Sequence, residues 1–194
     1  MKSVISSKNN PYIKFAYSLK ENKFRKENGL FLAETFHALE MAIANKQVLE
    51  IFTTVDKNYP EDIPTYIVSE DILKKLSNNV NPEGVVFVCK MREQVDKSNK
   101  VLYLDHISDP GNLGTLIRTA LAFDYDLVVT SPDSVDIYNP KVVNSTKGAL
   151  FAIPVIQKDI EEIKDKHVII SSLLDEKTVK LDDVKVPLKF ILVL

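Results

Sequence analysis

The chain has 194 residues, 45% of them apolar and 27% charged, with a formal net charge of −2 and mean hydropathy near zero. That is the profile of a globular protein with a real core, in one domain or two small ones. No apolar run approaches the roughly 18 to 20 residues of a membrane span, the start Met1-Lys-Ser-Val-Ile-Ser-Ser-Lys8 lacks a secretory apolar segment, and a single cysteine excludes internal disulfides and Cys-based zinc sites, so a cytoplasmic protein is expected.

Charge is unevenly spread. Residues 1–30 carry seven Lys and Arg against two Glu, a local +5 that leaves −7 for the remainder. A basic patch attracts a polyanion by counterion release without a high overall pI, which makes Lys8, Lys14, Lys20, Lys23 and Arg25 candidate contacts; a solvated helix face accounts for the charges equally well. Residues 11–28 are predicted as one helix with Tyr12, Phe15, Ala16 and Leu19 on its apolar face and Gly29 as its stop. A short strand at Leu30-Phe-Leu-Ala33 follows, then a helix over 35–46 through Phe36, Leu39, Ala42 and Ile43, and a β-branched strand over 48–55. Ser69 caps a further helix carrying Ile72, Leu73 and Leu76, and residues 84–90 read as a buried strand in which Cys89 is a small hydrophobe.

Residues 91–100 are polar and unpatterned, as a connection is. The predicted organisation is therefore a first domain over 1–92, a linker over 93–100 and a second domain over 101–194. In the second, strands are expected at 101–105, 127–129, 152–156, 168–170 and 190–194, and helices at 112–123, 140–146 and 159–164. Alternation of this kind implies an α/β fold with a mostly parallel sheet covered on both faces. The apolar segment Phe190-Ile-Leu-Val-Leu194 belongs inside such a sheet, where a functional loop follows a strand's carboxyl end.

Three of the chain's five glycines fall in Asp109-Pro-Gly-Asn-Leu-Gly-Thr-Leu-Ile-Arg118 and Gly148-Ala-Leu-Phe151. The first turn delivers Asn112 to a helix start, where it either caps the helix or offers its amide to a ligand. Gly114 and Arg118, four residues apart, share a helix face, and the missing side chain at 114 leaves room beside the guanidinium. His37, His106 and His167 are too scattered to mark a metal site, and each reads as structural or solvent-facing. A phosphate cradled at the helix N-terminus is a further reading of the turn, although it lacks the spacing of a dinucleotide or P-loop signature.

The Asn112–Arg118 segment, together with Asp136-Ile-Tyr-Asn-Pro-Lys-Val-Val143 and Gly148-Ala-Leu-Phe-Ala-Ile-Pro154, resembles the SpoU/TrmH family of RNA ribose 2′-O-methyltransferases. Gly29-Leu-Phe-Leu-Ala-Glu34 and residues 68–76 likewise resemble the small ribosomal-protein-like α/β substrate-binding domain these enzymes often carry, with Thr35 and His37 where the family usually has glycine and a basic residue. The resemblance implies a Rossmann-like parallel-sheet domain of the knotted SPOUT type, S-adenosylmethionine as cofactor, RNA (ribosomal rather than transfer) as partner, a homodimer, and no metal. It implies Asn112 and Arg118 as catalytic residues, the basic residues of 8–25 as RNA contacts, and Ser171, Leu173, Val193 and Leu194 near the cofactor. The family's second motif, a Gly-Asn/Ser-Glu-Gly loop, is expected directly after Leu194 and its third beyond, so most of the cofactor pocket and the knot are expected to lie outside these residues. The alternative reading is an RNA-binding module without a working cofactor site. An exposed apolar surface around 190–194 is expected with either.

Overall fold

The computed structural model describes residues 2–92, 98–172 and 178–194. The N-terminal half comprises β1 (Lys2–Ile5), α1 (Pro11–Ser18), α2 (Asn22–Asn28), β2 (Leu30–Glu34), α3 (Phe36–Ala44), β3 (Val48–Thr53), β4 (Thr65–Val68), α4 (Glu70–Leu76) and β5 (Val85–Lys90). Its sheet has the order β1-β4-β3-β5-β2, with β1, β4 and β3 parallel and β5 antiparallel to both neighbours. Five consecutive residues of β5, Val85 to Cys89, are buried, because both faces of the sheet are covered. One face packs on α1 and α4 through Ile13, Ala16, Leu19, Ile72, Leu73 and Leu76.

The single helix expected over 11–28 is two helices. The chain turns at residues 19–21, where the Arg25 side chain takes up the carbonyls of Leu19 and Lys20 and the Lys20 side chain reaches across to the end of α4. Arg25 donates to the carbonyls of Leu19 and Lys20 at 3.2 and 2.7 Å, and the Lys20 ammonium donates to the carbonyls of Lys75 and Ser77 at 2.9 and 2.7 Å. The second helix ends at Gly29, which is left-handed at φ 64° as a terminating glycine is.

The C-terminal half comprises β6 (Lys100–Leu104), α5 (Pro110–Ala122), β7 (Leu127–Thr130), α6 (Pro140–Ser145), α7 (Ala149–Ala152), β8 (Val155–Gln157), β9 (Val168–Ser171) and β10 (Phe190–Val193). All five strands are parallel, in the order β8-β7-β6-β10-β9. β10 lies between β6 and β9, as its apolar sequence demands, so Phe190 and Ile191 are buried and only Leu194 of this segment is strongly exposed. The exposed apolar surface expected there sits instead on the edge strand, at Val168 and Ile169. In place of a helix over 159–164 there are two 3-10 turns, Ile160–Glu162 and Lys164–Lys166, the first closed by a capping box between Asp159 and Glu162. With only Ile160 and Ile163 to bury, an i,i+3 pair suits a three-residue turn better than an α-helix.

The two halves share one core. Phe151 sits with its ring centroid 6.0 Å from those of both Phe31 and Phe87, and Tyr138 lies 4.7 Å from Phe31. Gln47 and Arg92 both donate to the Phe151 carbonyl, each at 3.1 Å. The predicted linker falls mostly on residues outside those described, but the sheets on either side of it are packed together rather than strung apart.

Candidate functional site

The strand order reverses at β6. From β6 the chain runs through α5 to β7 and β8 on one side, while β10 and β9 lie on the other, and in open α/β sheets ligands bind beyond the strand ends at such a point. Tyr103, Val193 and Ser171 lie in register across this carboxyl edge. The Leu194 N–H donates to Tyr103 at 3.0 Å and the Asp105 N–H to the Leu194 carbonyl at 2.9 Å. Three of the four cofactor candidates, Ser171, Val193 and Leu194, are thus brought together; Leu173 lies outside the described residues.

The loop from β6 to α5 is held from β7. The His106 N–H donates to the Ser131 hydroxyl at 2.8 Å and the Ile107 N–H to the Ser134 hydroxyl at 3.1 Å. His106 itself is left-handed at φ 53°, with Nδ1 2.8 Å from Asp105 and Nε2 3.5 Å from Asp133. Burial, with Asp105 and Asp159 adding to it, pushes the Tyr103 phenol above its ordinary pKa. Ser131 and Ser134 are absent from the sequence reading; their only signal is the turn Ser131-Pro-Asp-Ser134 directly after a strand.

α5 begins on Asp109, whose carboxylate accepts the Asn112 N–H at 2.7 Å, with Pro110 in the first position. Asp109 is therefore the cap, and the exposed Asn112 amide has no hydrogen-bond partner among the described residues. Arg118, six residues on, is about 9 Å further along the axis and about a third of a turn around it, so Asn112 and Arg118 do not share a face. Gly114 leaves no room beside the guanidinium either: a Cβ there would lie 2.3 Å from the Ser145 Cβ, so the glycine is what lets α5 and α6 meet. Arg118 opens instead onto a groove of about 310 Å³ lined by His37 and Met41 of α3, Leu121 and Ala122 of α5, and Thr146, Lys147 and Ala149.

The N-terminal basic candidates divide. Lys14 is exposed and unpaired among the described residues, while Lys8 and Lys23 make only exposed pairs with Asp71 and Glu27. Lys20 is tied to main-chain carbonyls, and burial lowers its pKa against the opposing pull of Glu34. Arg25 is buried, and its second nitrogen donates to Asp136 at 2.6 Å, so its charge serves the fold instead of a surface.

Glu34, the family-like end of β2, is also internal. Its carboxylate accepts from the Ser77 hydroxyl, from the Asn78 N–H at 3.2 Å and from the Asn144 amide at 2.9 Å. Thr35 follows at φ 86° and caps α3 by accepting the Ala38 N–H. Among the described residues no group of three or more His, Cys, Asp or Glu could hold a metal ion, and no helix is long and apolar enough to cross a membrane.

Residues 99–194 match the SpoU rRNA Methylase family and residues 10–86 the MRM3-like substrate binding domain. The chain is 34% identical over 172 residues to the 23S rRNA (guanosine(2553)-2′-O)-methyltransferase RlmP of Bacillus subtilis, a match covering 86% of this chain and 69% of that protein. It is 33% identical over 165 residues to an uncharacterised tRNA/rRNA methyltransferase of Synechocystis, covering 77% of this chain and 60% of that one. The crystal structure of an AdoMet-bound rRNA methyltransferase from Sinorhizobium meliloti superposes with a TM-score of 0.85 at 23% identity, over 99% of this chain and 80% of the other, a likeness of fold.

Proposed function

Because the chain belongs to the SpoU rRNA Methylase family, we propose that it takes part in methylating a ribose 2′-hydroxyl of ribosomal RNA with S-adenosylmethionine as donor. The observation that carries the reading is the placement of the family's first motif, Asp109 to Arg118, on the loop and helix that leave β6 at the switch point, with Ser171, Val193 and Leu194 in line beside it.

Ser171, Val193 and Leu194 would hold the cofactor at this edge. The side-chain charge there is carried by Asp105 and Asp133, which suits a sulfonium cation better than an anion. Bound there, the cofactor supplies an electrophilic methyl carbon. The chemistry it would supply there is transfer of that methyl to the ribose 2′-oxygen, with the carbon–sulfur electron pair kept by sulfur and the hydroxyl proton passing to solvent. The free Asn112 amide orients the ribose. Arg118 stays protonated, holds a neighbouring phosphate and stabilises charge developing on the attacking oxygen, because a guanidinium is a poor base. Lys8, Lys14 and Lys23 offer a basic approach surface for the RNA. A second copy of the chain would cover Val168 and Ile169 on the exposed edge of the sheet.

Transfer of radiolabelled methyl from S-adenosylmethionine to unmodified ribosomal RNA, followed by nuclease digestion to 2′-O-methylated nucleosides, tests the activity. Label found on a base, or none above background with a chain that binds both cofactor and RNA, overturns it.

A further inference from the structure

The groove beside Arg118 joins three basic side chains from three different elements. His37 comes from the first turn of α3, Arg118 from the middle of α5, and Lys147 from the turn between α6 and α7. None has an ion-pair partner among the described residues. The floor is apolar, formed by Met41, Leu121 and Ala149. The two halves are in contact here: a Cβ on Gly148 would meet the Met41 sulfur at 2.6 Å and lie 3.5 Å from the Ala38 Cα, both in α3. The backbone is also set against its preferences on both sides, with Thr35 at φ 86° and Lys147 at φ 50°, conformations that persist where surrounding packing enforces them.

We infer that this groove, lined by His37, Arg118 and Lys147, is a binding channel for the sugar–phosphate backbone of a single-stranded RNA segment passing between the two halves. The inference rests on the RNA reading above and adds two residues, His37 and Lys147, to it. Three uncompensated donors around an apolar floor suit a backbone whose phosphates face the rim and whose sugars and bases cover the floor. Cationic groups over an apolar floor recognise backbone charge and stacking surface, so sequence-tolerant binding is expected.

The test uses the whole chain and fluorescein-labelled oligouridine, with affinity read by polarisation across a salt series and no cofactor added. Lys147→Gln and His37→Gln are each expected to weaken binding about three- to tenfold, and Lys147→Gln to lower the slope of log affinity against log salt by about 0.7, the value for one lost single-strand phosphate contact. Lys189→Gln, an exposed charge change elsewhere, serves as the control and is expected to leave affinity and slope as they are. Variants that behave like the control overturn the channel while leaving the methyltransferase reading standing. A wild-type chain that does not bind oligouridine overturns the channel, whereas the methyltransferase reading stands or falls on the methyl-transfer assay. Circular dichroism melts on all three exposed variants separate loss of binding from loss of fold.

Discussion

The guanidinium of Arg25 lies 2.6 Å from the Asp136 carboxylate, joining residues 111 positions apart, one from each half of the chain. The same side chain closes the break between α1 and α2 through the carbonyls of Leu19 and Lys20. Replacing Arg25 with Ala strands three acceptors at once. Asp136 is partly exposed and recovers some hydration, so the expected cost is about 2 to 3 kcal/mol, below the full penalty for breaking a buried pair. Urea denaturation measures it; a loss under about 0.5 kcal/mol means that the contact is worth no more than a surface pair.

Gly114→Ala sets two effects against each other. Alanine favours an exposed helix by about 1 kcal/mol over glycine, but here its methyl would fall 2.3 Å from the Ser145 Cβ and 2.8 Å from the Ser145 carbonyl carbon. Backbone cannot swing aside as a flexible side chain does, so overpacking wins and a net loss of about 1 to 3 kcal/mol is expected. A variant with an unchanged or raised melting temperature shows that α5 and α6 can separate at no cost.

These two residues mark where sequence reading stops. Helix and strand periods, the glycine turn before α5, the Ser69 cap and the buried β10 are local patterns, and they placed most elements within a few residues. Arg25 looked like one more charge in a basic run because its partner lies 111 residues away, and Gly114 looked like space for Arg118 because nothing local announces Ser145. Glu34 is a third case, its three donors coming from residues 77, 78 and 144. The edge gathering Ser171, Val193 and Leu194 followed from strand order, which periodicity does not specify.

Thr35→Gly is expected to stabilise the chain. At φ 86° and ψ 142° a β-branched residue sits in a region that glycine enters freely, a strain of about 1 to 3 kcal/mol. Glycine gives up the cap on the Ala38 N–H, worth only a few tenths of a kcal/mol when the replacement is glycine, and part of the remainder to the freer unfolded chain. A rise in melting temperature of about 1 to 3 °C follows for a chain of this size. A fall would show that the Thr35 hydroxyl contributes more than its backbone costs.

Arg118→Ala is expected to reduce methyl transfer by about 100-fold or more while S-adenosylmethionine affinity stays within a few-fold, the pattern of a residue that acts on the transition state rather than on the cofactor. Arg118→Lys restores charge but not the planar fork and is expected to recover only part of the rate. Turnover unchanged in the alanine variant removes Arg118 from the chemistry.

Glu50 gives a prediction with a defined pH dependence. It lies on the half-buried part of β3, one carboxylate oxygen is buried with no hydrogen-bond partner among the described residues, and burial raises its pKa above the ordinary 4.5. Folding therefore holds a proton that the unfolded chain releases at lower pH, so the ionised carboxylate destabilises the fold above about pH 4.5 and the effect disappears below it, where both states are protonated. Glu50→Gln removes the charge and keeps the shape. Its expected gain at pH 7 is about 1 kcal/mol, kept modest because the group is only half buried, and the gain shrinks toward zero as pH falls through 4.5. Paired denaturation curves at pH 7 and pH 4 decide it. A variant less stable than wild type at pH 7 would mean that the buried oxygen has a partner there, most simply water shared with the nearby Tyr66 phenol, whose pKa is itself pushed up to about 12 by burial first and by Glu50 next.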